Sequence, residues 1–381
     1  MRRRLWTMGL ILMGMLLGCF SLTAQAVTDH GTMPEGFGDI GERLPEEIQD
    51  RLPEGIGSDR VETVGAAVAE VSDPRNLLKI LLDLAGIELG QATTLFAKLL
   101  GLLLLAALFS GICNSLGSDS VAGALRYCST TAIFSAIIYV QLEHLRHVQT
   151  FFERISALME AMIPVMGTVW AMGGNVTTAS AGSTGLYVFL SVCQHLCAET
   201  VMPICCFCTA LALCNTLAPE MGLRGLASSV KKIYTFSLGM IMTVLLTALG
   251  SQTTLTAAAD SMTARTAKMV SATVIPTVGG SVGETLRTVG AGVRYLKGVV
   301  GIGGVVFLLL LTLPVLLSLL MTRLVFLVCG GIADLLGCET ESRLLGELGN
   351  IYGCMIAVVS MTSVMFILAL LLFVKTLVAV L

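Results

Sequence analysis

Residues 298–321 read GVVGIGGVVFLLLLTLPVLLSLLM, twenty-four residues without a charged side chain. A helix needs roughly 20 predominantly apolar residues to cross the hydrocarbon of a bilayer, so this stretch reads as a membrane span. Others follow on either side of it. Residues 95–115, 122–141, 184–216, 233–256 and 351–374 have the same character, and 324–337 is shorter and carries Asp334. The composition agrees: 55% of the 381 residues are hydrophobic and 13% charged, about half the charge that a soluble domain carries. Forty glycines and nineteen methionines suit helices packed closely in lipid. A soluble cytosolic enzyme is excluded. So is a nucleic-acid binder, because 23 Lys and Arg against 26 Asp and Glu leave no basic surplus.

The charges are sorted along the chain. Arg2, Arg3 and Arg4 precede an apolar run from Leu5 to Phe20, and Ala24-Gln25-Ala26 follows. That order of basic, apolar and small-x-small segments reads as a signal peptide, residues 1–26, cut after Ala26; an uncleaved anchor is the rival. Residues 27–76 carry twelve acidic side chains and four arginines. They include the tandem repeat Arg43-Leu44-Pro45-Glu46-Glu47-Ile48 and Arg51-Leu52-Pro53-Glu54-Gly55-Ile56. This acidic extracytoplasmic segment reads either as a docking arm or as a solvated tether. Residues 77–94, interrupted by Lys79, Asp83 and Glu88, suit an interfacial helix, and 95–381 form the polytopic membrane domain. Residues 143–156, with Glu143, His144, Arg146, His147, Glu153 and Arg154, are amphipathic and also read as interfacial.

Two segments interrupt the pattern. Ile163-Pro164-Val165-Met166-Gly167 leads into Gly173-Gly174, and Ile275-Pro276-Thr277-Val278-Gly279-Gly280 leads into Gly283. Each is followed by an apolar helix with a further proline, Pro203 or Pro314. Proline removes a backbone donor, so both segments read as broken and re-entrant. Their matching positions suggest a duplication, with parallel repeat units at about 122–216 and 233–323. Positive charge in 217–232 (Arg224, Lys231, Lys232) favours the cytoplasm for that loop. The expected architecture is all-α and polytopic. It has about seven spans plus two Pro/Gly-broken re-entrant segments, an outer N-terminus and an inner C-terminus, with the acidic loop 338–350 outside.

No enzyme signature is present. Among seven lysines only Lys375 precedes a threonine, without a glycine-rich loop before it, so no phosphate-cradling loop exists. Six cysteines crowd between Cys193 and Cys214. A helix turns His195 about 160–200° away from Cys193 and Cys197, so the cluster reads as small apolar packing and no metal or cofactor is expected. His144 and His147 read as a solvated face rather than a metal pair. Ionisable groups inside apolar stretches are costly and therefore functional candidates. Glu160 lies a turn before Pro164, His195 and Glu199 share a helix face, and Arg265 and Lys268 precede the second interruption. With the hinge residues Pro164, Gly167, Pro276, Gly279 and Gly280, they mark a candidate pathway.

Arg265-Thr266-Ala267-Lys268, then Ile275-Pro276-x-Val278-Gly279 and the glycine-rich approach Gly298-Val299-Val300-Gly301, resemble the stage III sporulation protein AE family. The Ile163-Pro164 segment and the overall layout resemble it too. The resemblance implies a non-enzymatic component of the channel joining mother cell and forespore, required for forespore development. It would lie in the mother-cell membrane around the forespore. Its implied partners are the other stage III sporulation A-operon proteins, including a cytoplasmic ATPase and ring-forming membrane proteins, and the forespore stage II sporulation protein Q. The acidic repeat and the cysteine cluster have no counterpart in that resemblance. A free-standing secondary transporter and a structural membrane anchor are the alternatives.

Overall fold

A computed structural model describes residues 74–116, 119–172, 176–217, 224–274 and 279–375, together with the isolated positions 66 and 70. The signal peptide, nearly all of the acidic segment 27–76, and Pro276 lie outside the described residues. The described residues form six long helices: α1 (Pro74–Leu116), α2 (Asp119–Met172), α3 (Val176–Leu217), α4 (Arg224–Val274), α5 (Gly279–Leu335) and α6 (Glu339–Lys375). Each contains a stretch long and apolar enough to cross a membrane: 85–109, 127–172, 196–216, 225–248, 298–335 and 339–371.

α6 sits at the centre and packs on α5, α3, α4 and α2, while α1 covers α2 and α5. The burial pattern shows why. Leu344, Leu348, Ile351, Met355, Val358, Thr362, Phe366 and Leu370 recur along α6 at spacings of three or four and are all buried, which is one continuous face of a helix. On α1 a narrower face, Ala92, Leu95, Leu99, Leu103 and Ala106, is buried. Leu104, Leu105 and Leu108 of α1 stay exposed, as side chains facing lipid do.

Contacts between named residues set the directions. Ser129 meets Glu341, and Met162 comes against Gly304 beside Leu370, so α2 and α6 run parallel. Lys231 meets Glu347 and Gly239 faces Met361, so α4 runs the same way. Gln141 pairs with Thr209 and Gly182 with Trp170, so α3 opposes α2. Arg323 lies against Gly353, and Thr312 meets Ser363, so α5 opposes α6. Segments 122–216 and 233–323 each cover two successive helices of opposite direction, α2 then α3 and α4 then α5; α2 packs on α3, whereas α4 packs on α3 and α6.

Three expectations are corrected. The first concerns the break at Pro164. α2 continues as helix through Pro164 to Met172, because Met159, Met162, Val165, Met166, Val169 and Trp170 are buried on both sides of it. Packing outweighs the lost backbone hydrogen bond. No re-entrant segment forms there.

The second is the separate span at 324–337. α5 runs unbroken from Gly279 to Leu335, since nothing around Arg323 stops a helix. The stop comes at Gly337, whose φ of 74° is the left-handed cap that glycine supplies. Cys338 N–H then bonds the Ala333 carbonyl at 2.8 Å. The spans at 298–321 and 324–337 are therefore one helix, and the described residues hold six candidate spans instead of seven.

The third is sidedness. Lys231 stands near the start of α4 and Glu347 near the start of α6, 3.3 Å apart. The α3–α4 and α5–α6 connections therefore lie at one end of the bundle. Segments 217–232 and 338–350 cannot be on opposite sides, and both are largely helical. The expected interfacial helix 77–94 and the span 95–115 share the single helix α1. Cysteines introduced at Ser229 and Leu336 should react alike with a membrane-impermeant maleimide. Labelling of one but not the other, above the background of the native thiols, would restore the seven-span order.

Candidate functional site

The most distinctive chemistry lies in polar layers stacked along α6, spaced by the 1.5 Å rise of a helix. At the end nearest the α5–α6 turn, Ser129 Oγ donates to Glu341 Oε1 at 2.6 Å, with Thr130 Oγ1 at 3.4 Å. Glu341 is buried. The neighbouring Cys338 thiol, in the turn, is pushed up by burial, and the Glu341 carboxylate pushes the same way.

About 9 Å further along α6, Lys231 Nζ donates to Glu347 Oε2. The two side chains are only 12% and 9% exposed. About 16 Å from Glu341, His144 is held between Ser318 Oγ on Nδ1 (3.4 Å) and Thr322 Oγ1 on Nε2 (3.0 Å). Its ring meets Tyr352 edge-on at 5.5 Å, and Tyr352 meets Phe326 at 5.2 Å. A Cβ on Gly353 would stand 3.2 Å from Arg323 Cζ, so glycine lets the guanidinium lie against the α6 backbone. Gln141 Nε2 donates to Thr209 Oγ1. Deeper still, Thr312 and Ser363 hydroxyls meet at 2.9 Å and Cys197 Sγ lies 3.5 Å from Thr362.

These hydroxyls also bond their own helices. Thr209 and Thr362 donate to the carbonyl four residues back at 2.7 and 2.9 Å; Thr312 and Ser363 lie as close to theirs, and one of the two donates there while the other donates across the pair. That satisfies them without water. The result is a bundle whose helices are tied together by polar pairs at several depths, a role suited to lipid, where apolar burial gives helices little reason to prefer each other over acyl chains.

Of the residues expected to carry a pathway, those whose side chains are described lie on the outside of separate helices. Glu160 and Pro164 are exposed and Gly167 half-buried on α2. Glu199 is exposed on α3. His195 lies in α3, but its side chain is outside the described residues, as are those of Arg265 and Lys268 on the part of α4 beyond its apolar span. Gly279 and Gly280 open α5. Cys197, Cys205 and Cys208 are buried and Cys206 and Cys214 exposed, on a helix packed against α2, α4 and α6.

His144 corrects the expectation of a solvated face: it is buried, and only its neighbour His147 is exposed. Lys231 and Glu347, expected on the connecting segments 217–232 and 338–350, instead form a largely buried pair. The signal for Glu347 was available, since Leu344, Leu348 and Ile351 flank it at helical spacing. A carboxylate on an apolar face needs a partner.

Comparison decides the family. The family model described as stage III sporulation protein AE matches residues 67–376, which contain all six helices. The chain belongs to the stage III sporulation protein AE family. The Stage III sporulation protein AE of Bacillus subtilis (strain 168) is 22% identical over 277 residues, covering 72% of this chain and 69% of that protein. No solved structure matches. Membership makes this a sporulation protein, and the helices give it membrane-spanning character.

Proposed function

We propose that this chain is a non-enzymatic, multi-pass component of the mother cell–forespore channel complex, required for forespore development. It sits in the mother-cell membrane around the forespore with its acidic N-terminal segment outside the cytoplasm. Its partners are the other stage III A-operon proteins, including a cytoplasmic ATPase and ring-forming membrane proteins, and stage II sporulation protein Q.

One observation carries the reading beyond the family. Glu160 and Glu199, the candidates for a transporter's substrate site, both have exposed side chains on different helices. A free-standing secondary transporter collects such groups around a site enclosed near the membrane midplane. Ionisable groups presented outward suit a subunit whose neighbours complete the structure.

The test is purification of a tagged chain from sporulating cells. Co-isolation of the operon ATPase and stage II Q supports the reading, and a chain recovered without either would sink it. Glu160→Gln with Glu199→Gln then separates a conduit subunit from a passive anchor. Loss of heat-resistant spores with the complex still assembled is expected of the first. Wild-type spore numbers would favour the anchor.

A further inference from the structure

α2 has an anomalous outward face. Between Glu143 and Glu160 its buried side, including His144, Val148, Phe151, Ile155 and Met159, packs into the bundle. Its exposed side carries Glu143, Arg146, His147, Glu153, Arg154 and Glu160. The depth of this stretch follows from its contacts. His144 touches Ser318, Thr322 and Tyr352, and two residues past Glu160 the Met162 methyl reaches Gly304 beside Leu370. Those partners bracket or lie within 298–321 and 351–371, stretches of α5 and α6 with no charged residue. The charged face therefore runs alongside two membrane spans for about 26 Å, most of the ~30 Å hydrocarbon thickness.

Lipid cannot cover such a face. Elsewhere the exposed side chains at span level are mostly apolar, such as Leu105, Phe207, Phe236 and Val244, with single charges at Lys98 and Glu199 in place of the run of charges on α2. None of the five charged groups on the α2 face has an ion-pair partner within the chain among the described residues.

We infer that a second copy of this chain covers it, the two copies meeting along α2 about a two-fold axis normal to the membrane. The argument is charge geometry. In an isologous contact between parallel helices, residues to one side of the face's midline meet those to the other side on the partner, at the same height. At about 100° per residue, Glu143 and Arg146 lie on opposite sides of that midline and about 4.5 Å apart along the axis. Glu153 and Arg154 also lie on opposite sides, one residue apart, with the order of signs reversed. The two-fold contact thus sets Glu143 against the partner's Arg146, and Arg154 against the partner's Glu153, each pair twice. A face with three carboxylates and two guanidiniums has almost no net charge to attract a strongly charged stranger. It complements itself.

The experiment is oxidative cross-linking of the full chain in native membranes through Thr150→Cys, which at about 100° per residue lies on the midline of that face and is half-buried in the single chain. A covalent dimer of twice the chain mass is expected, absent from the wild type with its native thiols and from Leu108→Cys on the apolar face of α1. Adding Arg146→Glu should lower the dimer yield about tenfold by setting like charges together. Adding Glu143→Arg to that variant should restore it. No dimer from Thr150→Cys, an adduct with a different protein in its place, or charge reversal without effect would each overturn the inference. The proposed channel role is tested separately. A chain that co-purifies with the operon proteins but never cross-links to itself removes the dimer and leaves that role intact.

Discussion

Replacing Lys231 by Met is expected to be among the most damaging single changes in the bundle. It leaves the Glu347 carboxylate, only 9% exposed, without its ammonium partner. Removing one member of a buried pair costs up to about 3–5 kcal/mol, because the remaining charge keeps its desolvation penalty and loses its opposite charge. The pair ties α4 to α6 near one end, so loss should show as a lower unfolding midpoint in detergent and reduced yield in membranes. The double variant Lys231→Met with Glu347→Met should recover most of the loss, since well-packed apolar replacements for a buried pair are often neutral. A single variant as stable as the wild type would mean that water or headgroups reach the carboxylate. Arg343 and Glu339 provide the contrast. Their pair at 3.2 Å is 55% and 77% exposed, and such surface pairs contribute roughly 0–1 kcal/mol.

Gly182→Ala should be the second large effect. A Cβ at Gly182 would stand 2.6 Å from Trp170 Cζ3 and 2.8 Å from Cη2. Trp170 is among the most completely buried side chains, and its rigid ring has nowhere to move, so α3 must shift away from α2. Overpacking of this kind costs about 1–3 kcal/mol, and valine should cost more. Gly304→Ala is the internal control. Its Cβ would also come within 2.6 Å of an atom, but that atom is the terminal Met162 Cε. A methionine methyl swings aside on a flexible chain, so the loss should be small. Unfolding midpoints of the two variants side by side check this, and equal destabilisation would contradict the difference between ring and methyl.

The correct and incorrect expectations have a common physical origin. Span positions at 95–115, 184–216, 233–256 and 351–374 were legible because lipid imposes a requirement that each segment meets on its own. Pro164 was misread because its cost is local, whereas the buried neighbours that outweigh it come from other helices. Lys231 was misread because a lysine near a connection looks solvated until its distance to Glu347 is known. For 143–156 an amphipathic pattern has two solutions, a helix floating at the interface or a bundle helix with a polar outer face. Periodicity is identical in both.

The sequence by itself determined that the chain is an all-helical membrane protein with an acidic N-terminal segment, and its motifs pointed to its family. These follow from composition and from short-range order, which need no knowledge of neighbours. Only the tertiary structure decided that α5 is one helix, that the starts of α4 and α6 share an end, and that the charged face of α2 lies at membrane depth. Each of those depends on which residues, far apart in the chain, come within a few ångströms. His144 is fixed by Ser318, Thr322 and Tyr352, partners 174 to 208 positions away.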